Sequence, residues 1–159
     1  MATAPYNALK VFEAFETADD RSVAIVGAAV VEDALYFAIC AKLGLTMLTP
    51  QAEALREDRA PFGTFDMKIR FADSVGIFGQ HTKKQDVDLI RKIRNDFAHN
   101  LNIASFTDNN VVQRIKLIEA AKSSTYARER PPNYRKMFTQ AVMLISGLLI
   151  AEAVTGGRY

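Results

Sequence analysis

Residues 21–43 are predicted to form a helix that is apolar on nearly every side. This feature restricts the folds open to the chain more than any other. Asp19 and Asp20 precede the segment as helix-start residues, and Gly44 follows it at a position typical of a helix end. A helix with no polar face has to lie at the centre of a fold, surrounded by other helices. Gly27 within it would let one of those neighbours approach closely.

The rest of the chain also carries helical spacing. No run of alternating β-branched residues joined by an Asn-Gly or Asp-Gly turn indicates a strand. The predicted helices cover residues 6–18, 21–43, 50–59, 64–75, 83–99, 108–118 and 134–154. Thr49 and Thr64 are predicted caps, Thr82 to Gln85 a capping box, Asp108 a helix start, and Gly156-Gly157 the last helix end. We therefore expect a single all-α domain over residues 1–159, a compact helical bundle of about six to seven helices.

The composition supports one soluble domain and limits its partners. The 159 residues are 49% hydrophobic, which is enough for a core, and 20 basic against 18 acidic residues leave a net charge of +2. This balance implies neither a broad nucleic-acid surface nor a membrane surface. Cys40 is the only cysteine, which is typical of a reduced cytosol. With His81 and His99 it makes no zinc-type cluster, so we expect no metal and no cofactor.

The chain is expected to be cytoplasmic and to stay out of the membrane. The first nine residues lack the basic and apolar regions of a signal peptide. Residues 137–154 come nearest to a membrane span. Because they include Thr139, Gln140, Ser146 and Glu152, we interpret them as a buried helix instead.

The predicted helix over residues 83–99 carries the most functional information. Its apolar face holds Val87, Ile90, Ile93 and Phe97. Arg91, Asn95 and His99 follow one another at four-residue spacing on another face, and Arg94 lies at the edge of the apolar stripe. Arg94 and His99 diverge by about 140° on an ideal helix. They can serve one site only if the helix ends before His99 or if a homodimer supplies a second copy.

The segment Arg94-Asn95-x-x-x-His99 resembles the Arg-x4–6-His motif of the HEPN superfamily of helical domains. The stretches Phe62-Gly63-Thr64-Phe65, Lys68-Ile69 and residues 88–99 also resemble the mannitol operon repressor (MtlR) family, with Glu32-Asp33 as the central acids of its long N-terminal helix. The resemblance covers roughly residues 19–125. It implies an HEPN/MtlR-like helical fold, and a composite site of Arg94, Asn95 and His99 at a dimer interface.

Two functions follow from this resemblance. The first is a dimeric regulatory protein, a transcriptional repressor by family name, whose Arg/Asn/His cleft binds RNA or a protein partner. The alternative is a metal-independent endoribonuclease, a toxin or defence component, in which His99 moves protons, Arg94 holds the scissile phosphate and Asn95 orients the imidazole. Direct sequence-specific DNA binding is not expected, because no short glycine-containing turn precedes a polar recognition helix.

A structural interpretation of the same residues stays open beside these functions. His99 would simply interact with the carbonyl end of its helix, and Arg94 would be a dimer-interface or intrachain partner of Glu32 or Asp33. The chain would then be a helical scaffold without a ligand.

The other chemistry-bearing residues have simpler predicted roles. Glu32 and Asp33 are expected to pair with basic residues rather than to form a carboxylate dyad. Cys40 is expected in the core, and Phe62 and Phe65 under a loop. Lys83-Lys84 and the basic segment 128–136 are expected on the solvated surface, where either could steer RNA phosphates.

Overall fold

A computed structural model describes residues 7–156 of the chain, and within that range it is all-helical. The helices are α1 (Ala8–Thr17), α2 (Asp20–Lys42), α3 (Pro50–Ala54), α4 (Phe65–Ser74), α5 (Lys84–His99), α6 (Asn109–Leu117), α7 (Glu119–Lys122) and α8 (Tyr134–Thr155), with a 3-10 turn at Thr125–Arg128. The all-α prediction is confirmed. The predicted start of the first helix at residue 6, and Gly157 in the predicted end of the last, lie outside the described residues.

Most helix ends follow the local signals in the sequence. The side chains of Asp19, Thr49 and Thr64 each accept a hydrogen bond from the backbone N–H three residues later, as expected of N-caps. Gly44 and Gly156 both have positive φ, 69° and 64°, just beyond the ends of α2 and α8. Glycine adopts this left-handed conformation at little cost, so both helices end where the sequence indicates.

Three predicted boundaries are wrong. The capping box at Thr82 does not form: α5 has Lys83 as its N-cap residue without a side-chain cap, and the buried Thr82 hydroxyl has no hydrogen-bond partner among the described residues. The helix expected to reach Arg59 ends at Ala54, and Arg59 lies in a turn with φ 74°. The helix expected from Asp108 through Ile118 is divided, because Ile118 is extended between α6 and α7.

A buried carboxylate explains why α7 starts where it does. Asp86 in the first turn of α5 is 3% exposed and accepts hydrogen bonds from the backbone N–H groups of Glu119 and Ala120, at 2.9 and 3.0 Å. These amides are the first of α7 and have no partner inside their own helix. Asp86 therefore ties the α6–α7 corner to α5.

Helix α2 is the centre of the bundle, as predicted, and α8, α5 and α4 all pack against it. Helices α2 and α8 run parallel, because Asp20 and Arg135 pair at their first turns and Lys42 and Glu152 line one cavity at their last turns. Both are long and apolar enough to span a membrane by length and composition alone. The most apolar window of α2 is 72% buried inside the bundle and that of α8 is 39% buried, so the prediction of a buried C-terminal helix is correct for only one side of α8.

Candidate functional site

Helix α5 presents the predicted faces. Val87, Ile90, Ile93 and Phe97 are all fully buried, while Arg94 and Asn95 are partly exposed and His99 is exposed. The side chain of Arg94 therefore leaves the helix at the border between core and solvent, where the 100° spacing of helical residues puts it.

Carboxylates neutralise the other long cations of α5. Lys84 pairs with Asp73 at 2.6 Å, and Lys92 pairs with Asp88 at 2.8 Å. Arg91 contacts Asp88 at 2.7 Å and, more distantly, Asp66 of α4 at 3.6 Å. On the opposite flank Arg114 of α6 binds Asp96 at 2.6 Å. The surface of α5 is thus mostly balanced in charge.

Arg94 differs from these cations. Its Nη1 donates a hydrogen bond to the amide oxygen of Asn95 at 2.9 Å, and no carboxylate of residues 7–156 lies within 4.0 Å of its guanidinium. A guanidinium carries five N–H donors, so most of the donors of Arg94 have no protein acceptor in the described part of the chain. Such a group, held at the edge of the core, can bind an anion in two-point contact.

The C-terminal end of α5 is fastened by a side chain from α2. Arg21 donates hydrogen bonds to the carbonyl oxygen of Phe97 and, at 2.8 Å, to that of Ile103 in the following loop. These contacts join the last turn of α5 to the loop that follows it. His99 is the last residue of α5, and its imidazole makes no hydrogen bond to the described residues.

The helix remains regular through His99, with Asn100 as the extended cap residue. An early end of α5 therefore does not bring Arg94 and His99 together, and this alternative is wrong. Five residues of regular helix separate the two directions by about 140°. A shared site for both groups needs a second copy of the chain.

The pairing of Arg94 with a central acid of α2 is also wrong within one protomer, because both acids are engaged elsewhere. Glu32 binds Lys68 at 2.5 Å, and Asp33 binds Arg56 at 2.5 Å. The two cations flank the buried ring of Tyr36, with Arg56 at 4.9 Å and Lys68 at 5.9 Å from its centroid. The expectation that the acids pair with basic residues is confirmed.

The other predicted residues divide between core and surface. Cys40, Phe62 and Phe65 are buried as expected, and burial raises the pKa of the Cys40 thiol. The exposed surface predicted for residues 128–136 is correct for Arg128 but wrong for Arg135. That guanidinium is partly buried, where it pairs with Asp20 at 2.6 Å and donates to backbone carbonyls of α1 and the α1–α2 link.

The sequence does not reveal that the N-terminal half of α2 is open on one side. Ile25 and Val26 are 38% and 43% exposed, and Ala29 is exposed as well. The α2 sequence is apolar there on all sides, so its pattern offers no signal for which side faces solvent. Because Arg21 joins the start of α2 to the end of α5, this apolar surface begins beside the last turns of α5.

Two cavities of about 210 and 260 Å³ lie elsewhere, at the C-terminal and N-terminal ends of α8. Arg94, Asn95 and His99 line neither of them. Among residues 7–156 no group of three or more His, Cys, Asp or Glu side chains is placed to hold a metal ion.

Comparisons of the chain with protein-family models, curated proteins and solved structures give no match.

Proposed function

We propose that this chain is a helical regulatory protein of the mannitol-operon-repressor type that acts as a homodimer and binds RNA through a phosphate group. In the proposed site Arg94 and Asn95 come from one protomer and His99 from its partner. The observation that carries the proposal is the partly exposed guanidinium of Arg94, whose acceptor in the described chain is the neighbouring Asn95 amide rather than a carboxylate.

A phosphate suits this guanidinium better than a neutral ligand does. Its oxygens accept two parallel N–H bonds from one guanidinium, and such charge-assisted bonds are about twice as strong as neutral ones. The other long cations of α5 are already paired with carboxylates, so they are less available to bind a phosphate. We therefore expect binding to depend on Arg94 far more than on total charge, with a shallow dependence on salt.

The open side of α2 supports a second copy as the other half of the site. Ile25, Val26 and Ala29 form an exposed apolar surface that starts next to the end of α5. In a two-fold dimer the same surface of both protomers forms the interface, so a second copy can cover this surface with its own Ile25, Val26 and Ala29. Such a contact would place the α5 helices of two protomers side by side, as convergence of Arg94 and His99 requires.

Ribonuclease activity is a second candidate, favoured by the exposure of the His99 side chain. Its exposed imidazole has no hydrogen-bond partner among the described residues, so it is available for proton transfer. In this reaction the ribose 2′-oxygen attacks the adjacent phosphorus, and the bond from phosphorus to the 5′-oxygen of the next nucleotide breaks. His99 takes the 2′-hydroxyl proton or delivers a proton to the leaving 5′-oxygen, and water makes the other proton transfer. Arg94 would stabilise the charge that builds on the phosphate, and no metal ion is required.

One experiment separates the two candidates. The purified protein is incubated with total RNA in EDTA, in parallel with Arg94→Ala, His99→Ala and the control Arg70→Ala, which removes a 77% exposed arginine of α4. RNA that is bound but intact, with binding lost in Arg94→Ala, supports the regulator. Cleavage lost in both Arg94→Ala and His99→Ala supports the enzyme. If the RNA is neither bound nor cleaved, both proposals fail and a protein partner becomes the better explanation of the site.

A further inference from the structure

We infer that the outer face of α8 is a surface through which two copies of this chain associate reversibly. The face consists of Met143, Leu144, Gly147, Leu148, Ala151 and Val154, which recur at helical spacing on the side of α8 opposite the core. It is separate from the candidate site on α5, and the inference does not rest on the proposed function.

The side chains of this face are apolar and uncharged, and residues 7–156 leave it uncovered. Met143 and Leu144 are each 44% exposed and Val154 is 57% exposed, while Phe138 and Leu149 on the inner side of α8 are fully buried. No Asp, Glu, Lys or Arg occurs in residues 137–151, and Glu152, the one charged residue between Met143 and Val154, lines the cavity beside α2. Exposed apolar stripes of this kind mark places of association rather than ordinary surface.

The order of large and small side chains suits a second copy of α8. Gly147 lies near the middle of the stripe, with Met143 one turn before it and Ala151 one turn after it. Two α8 helices that cross antiparallel at Gly147 therefore place each Met143 opposite the Ala151 of the other copy. A Cβ atom built on Gly147 meets nothing within 4 Å, so the backbones can approach closely there. The absence of charge means that no like charges meet across the two-fold axis.

A membrane surface is the weaker fit. Helices that lie on anionic membranes carry free lysines and arginines beside their apolar face. At the start of α8 the basic residues are already neutralised, Arg135 by Asp20 and Lys136 by Glu16, both at 2.6 Å. Within α8 itself no basic residue is therefore left to draw the apolar stripe to lipid headgroups, and the exposed Arg128 and Arg130 lie outside the helix.

The size of the face indicates that the association is weak. From Met143 to Val154 the helix rises about 17 Å, and a strip about 10 Å wide covers on the order of 200 Å² in outline on each copy. Stable dimers bury about 800 Å² of accessible surface on each partner. We therefore expect an equilibrium that depends on protein concentration. This face points away from the core, whereas α5 packs against α2, so the contact leaves Arg94 and His99 free.

Sedimentation equilibrium over a wide concentration range tests the inference. We expect the average mass of the parent chain to rise toward twice its dilute value, and Leu144→Glu to weaken this self-association at least about tenfold. Leu117→Glu, the same substitution at a 51% exposed leucine of α6, should behave like the parent. Gly147→Leu provides a second variant, because it fills the crossing point without contacting the core.

The inference fails if the parent mass stays constant, or if Leu144→Glu and Gly147→Leu both self-associate like the parent. It also fails if Leu144 is needed for binding to anionic vesicles while the mass does not depend on it. RNA binding by Leu144→Glu should equal that of the parent. Loss of RNA binding in Arg94→Ala with unchanged self-association would separate this surface from the proposed site.

Discussion

The guanidinium of Arg94 and the amide oxygen of Asn95 are joined by a hydrogen bond of 2.9 Å, although the two residues leave α5 about 100° apart. Asn95 holds the guanidinium without neutralising it, because an amide oxygen carries no net charge. The arrangement fixes the direction of Arg94 and keeps its positive charge for another partner.

Replacing this amide by a carboxylate tests the arrangement. We expect Asn95→Asp to lower RNA affinity about tenfold, because the new charge pairs with Arg94 and repels the phosphate. Asn109→Asp introduces the same charge at the start of α6 and should leave the affinity within about twofold of the parent. Fluorescence anisotropy with labelled RNA measures both variants, and circular dichroism verifies that both are folded. Equal affinity in Asn95→Asp and the parent would contradict a phosphate contact at Arg94.

The helix boundaries that the sequence predicts correctly depend on contacts within a few residues. Asp19, Thr49 and Thr64 cap amides three positions ahead, and Gly44 supplies a positive φ, so each signal and its partner lie in one short window. The Thr82 cap fails because that side chain is buried by the tertiary fold, and its backbone oxygen accepts a hydrogen bond from the N–H of Gly79. Packing outweighed the local preference.

In the candidate site, too, features set by local spacing could be predicted from the sequence, and contacts between distant residues could not. Helical spacing alone places Arg94 at the edge of the core and His99 on an exposed face, and the structure confirms both positions. The contacts that hold the site are distant in sequence: Arg21 reaches Phe97 across 76 residues, and Asp86 caps α7 more than 30 residues away. A single sequence contains no pattern that links such pairs. The convergence of Arg94 with His99 of a second copy stays a prediction.

The ion pair between Lys68 and Glu32 should contribute strongly to stability. The Lys68 side chain is only 3% exposed and that of Glu32 is 20% exposed, so removing the carboxylate leaves a buried ammonium without its partner. We expect Glu32→Gln to lower the free energy of unfolding by about 3 kcal/mol. Glu32→Gln combined with Lys68→Met should lose less, because no unpaired charge remains.

Urea unfolding at neutral pH measures these effects. Asp66→Asn serves as the surface control, because it removes the pair of Asp66 with the 77% exposed Arg70 and only a distant contact with Arg91. That variant should lose less than about 1 kcal/mol. If Glu32→Gln loses no more than Asp66→Asn, the Lys68 ammonium is hydrated rather than buried.

The carboxyl group of Asp88 should make stability depend on pH. Burial raises its pKa, but hydrogen bonds from Lys92 and Arg91 outweigh this and lower the pKa below its ordinary value. A lowered folded-state pKa stabilises the protein above the unfolded-state value of about 3.9, and this contribution is lost as the pH falls through the folded-state pKa. Asp88→Asn should therefore destabilise the protein by about 0.5–1 kcal/mol at pH 7 and by less near pH 3. Urea unfolding at both pH values gives the comparison, and an equal difference at the two values would contradict the prediction.

The close contact of α2 with α8 at Gly27 predicts opposite effects for two glycine substitutions. A Cβ atom on Gly27 would lie 2.9 Å from the ring of Phe138 and 3.3 Å from Val142. The Phe138 ring cannot move easily, because it is fully buried and its centroid lies 5.0 Å from that of the Phe106 ring. We expect Gly27→Ala to destabilise the protein by about 1–2 kcal/mol, even though alanine favours a helix by about 1 kcal/mol over glycine. Gly147→Ala has open space and should stabilise the folded monomer by up to about 1 kcal/mol.

Thermal and urea unfolding of the two glycine variants at low protein concentration decide the matter, since self-association through α8 is then negligible. Opposite signs are the expected result, because the substitutions make the same change in helix propensity and differ only in what the new methyl group contacts. A stabilising Gly27→Ala would mean that α2 and α8 are farther apart in solution than the 2.9 Å contact requires. In that case the rings of Phe138, Phe106 and Phe97, which connect α8 to α5, would also pack less tightly than described.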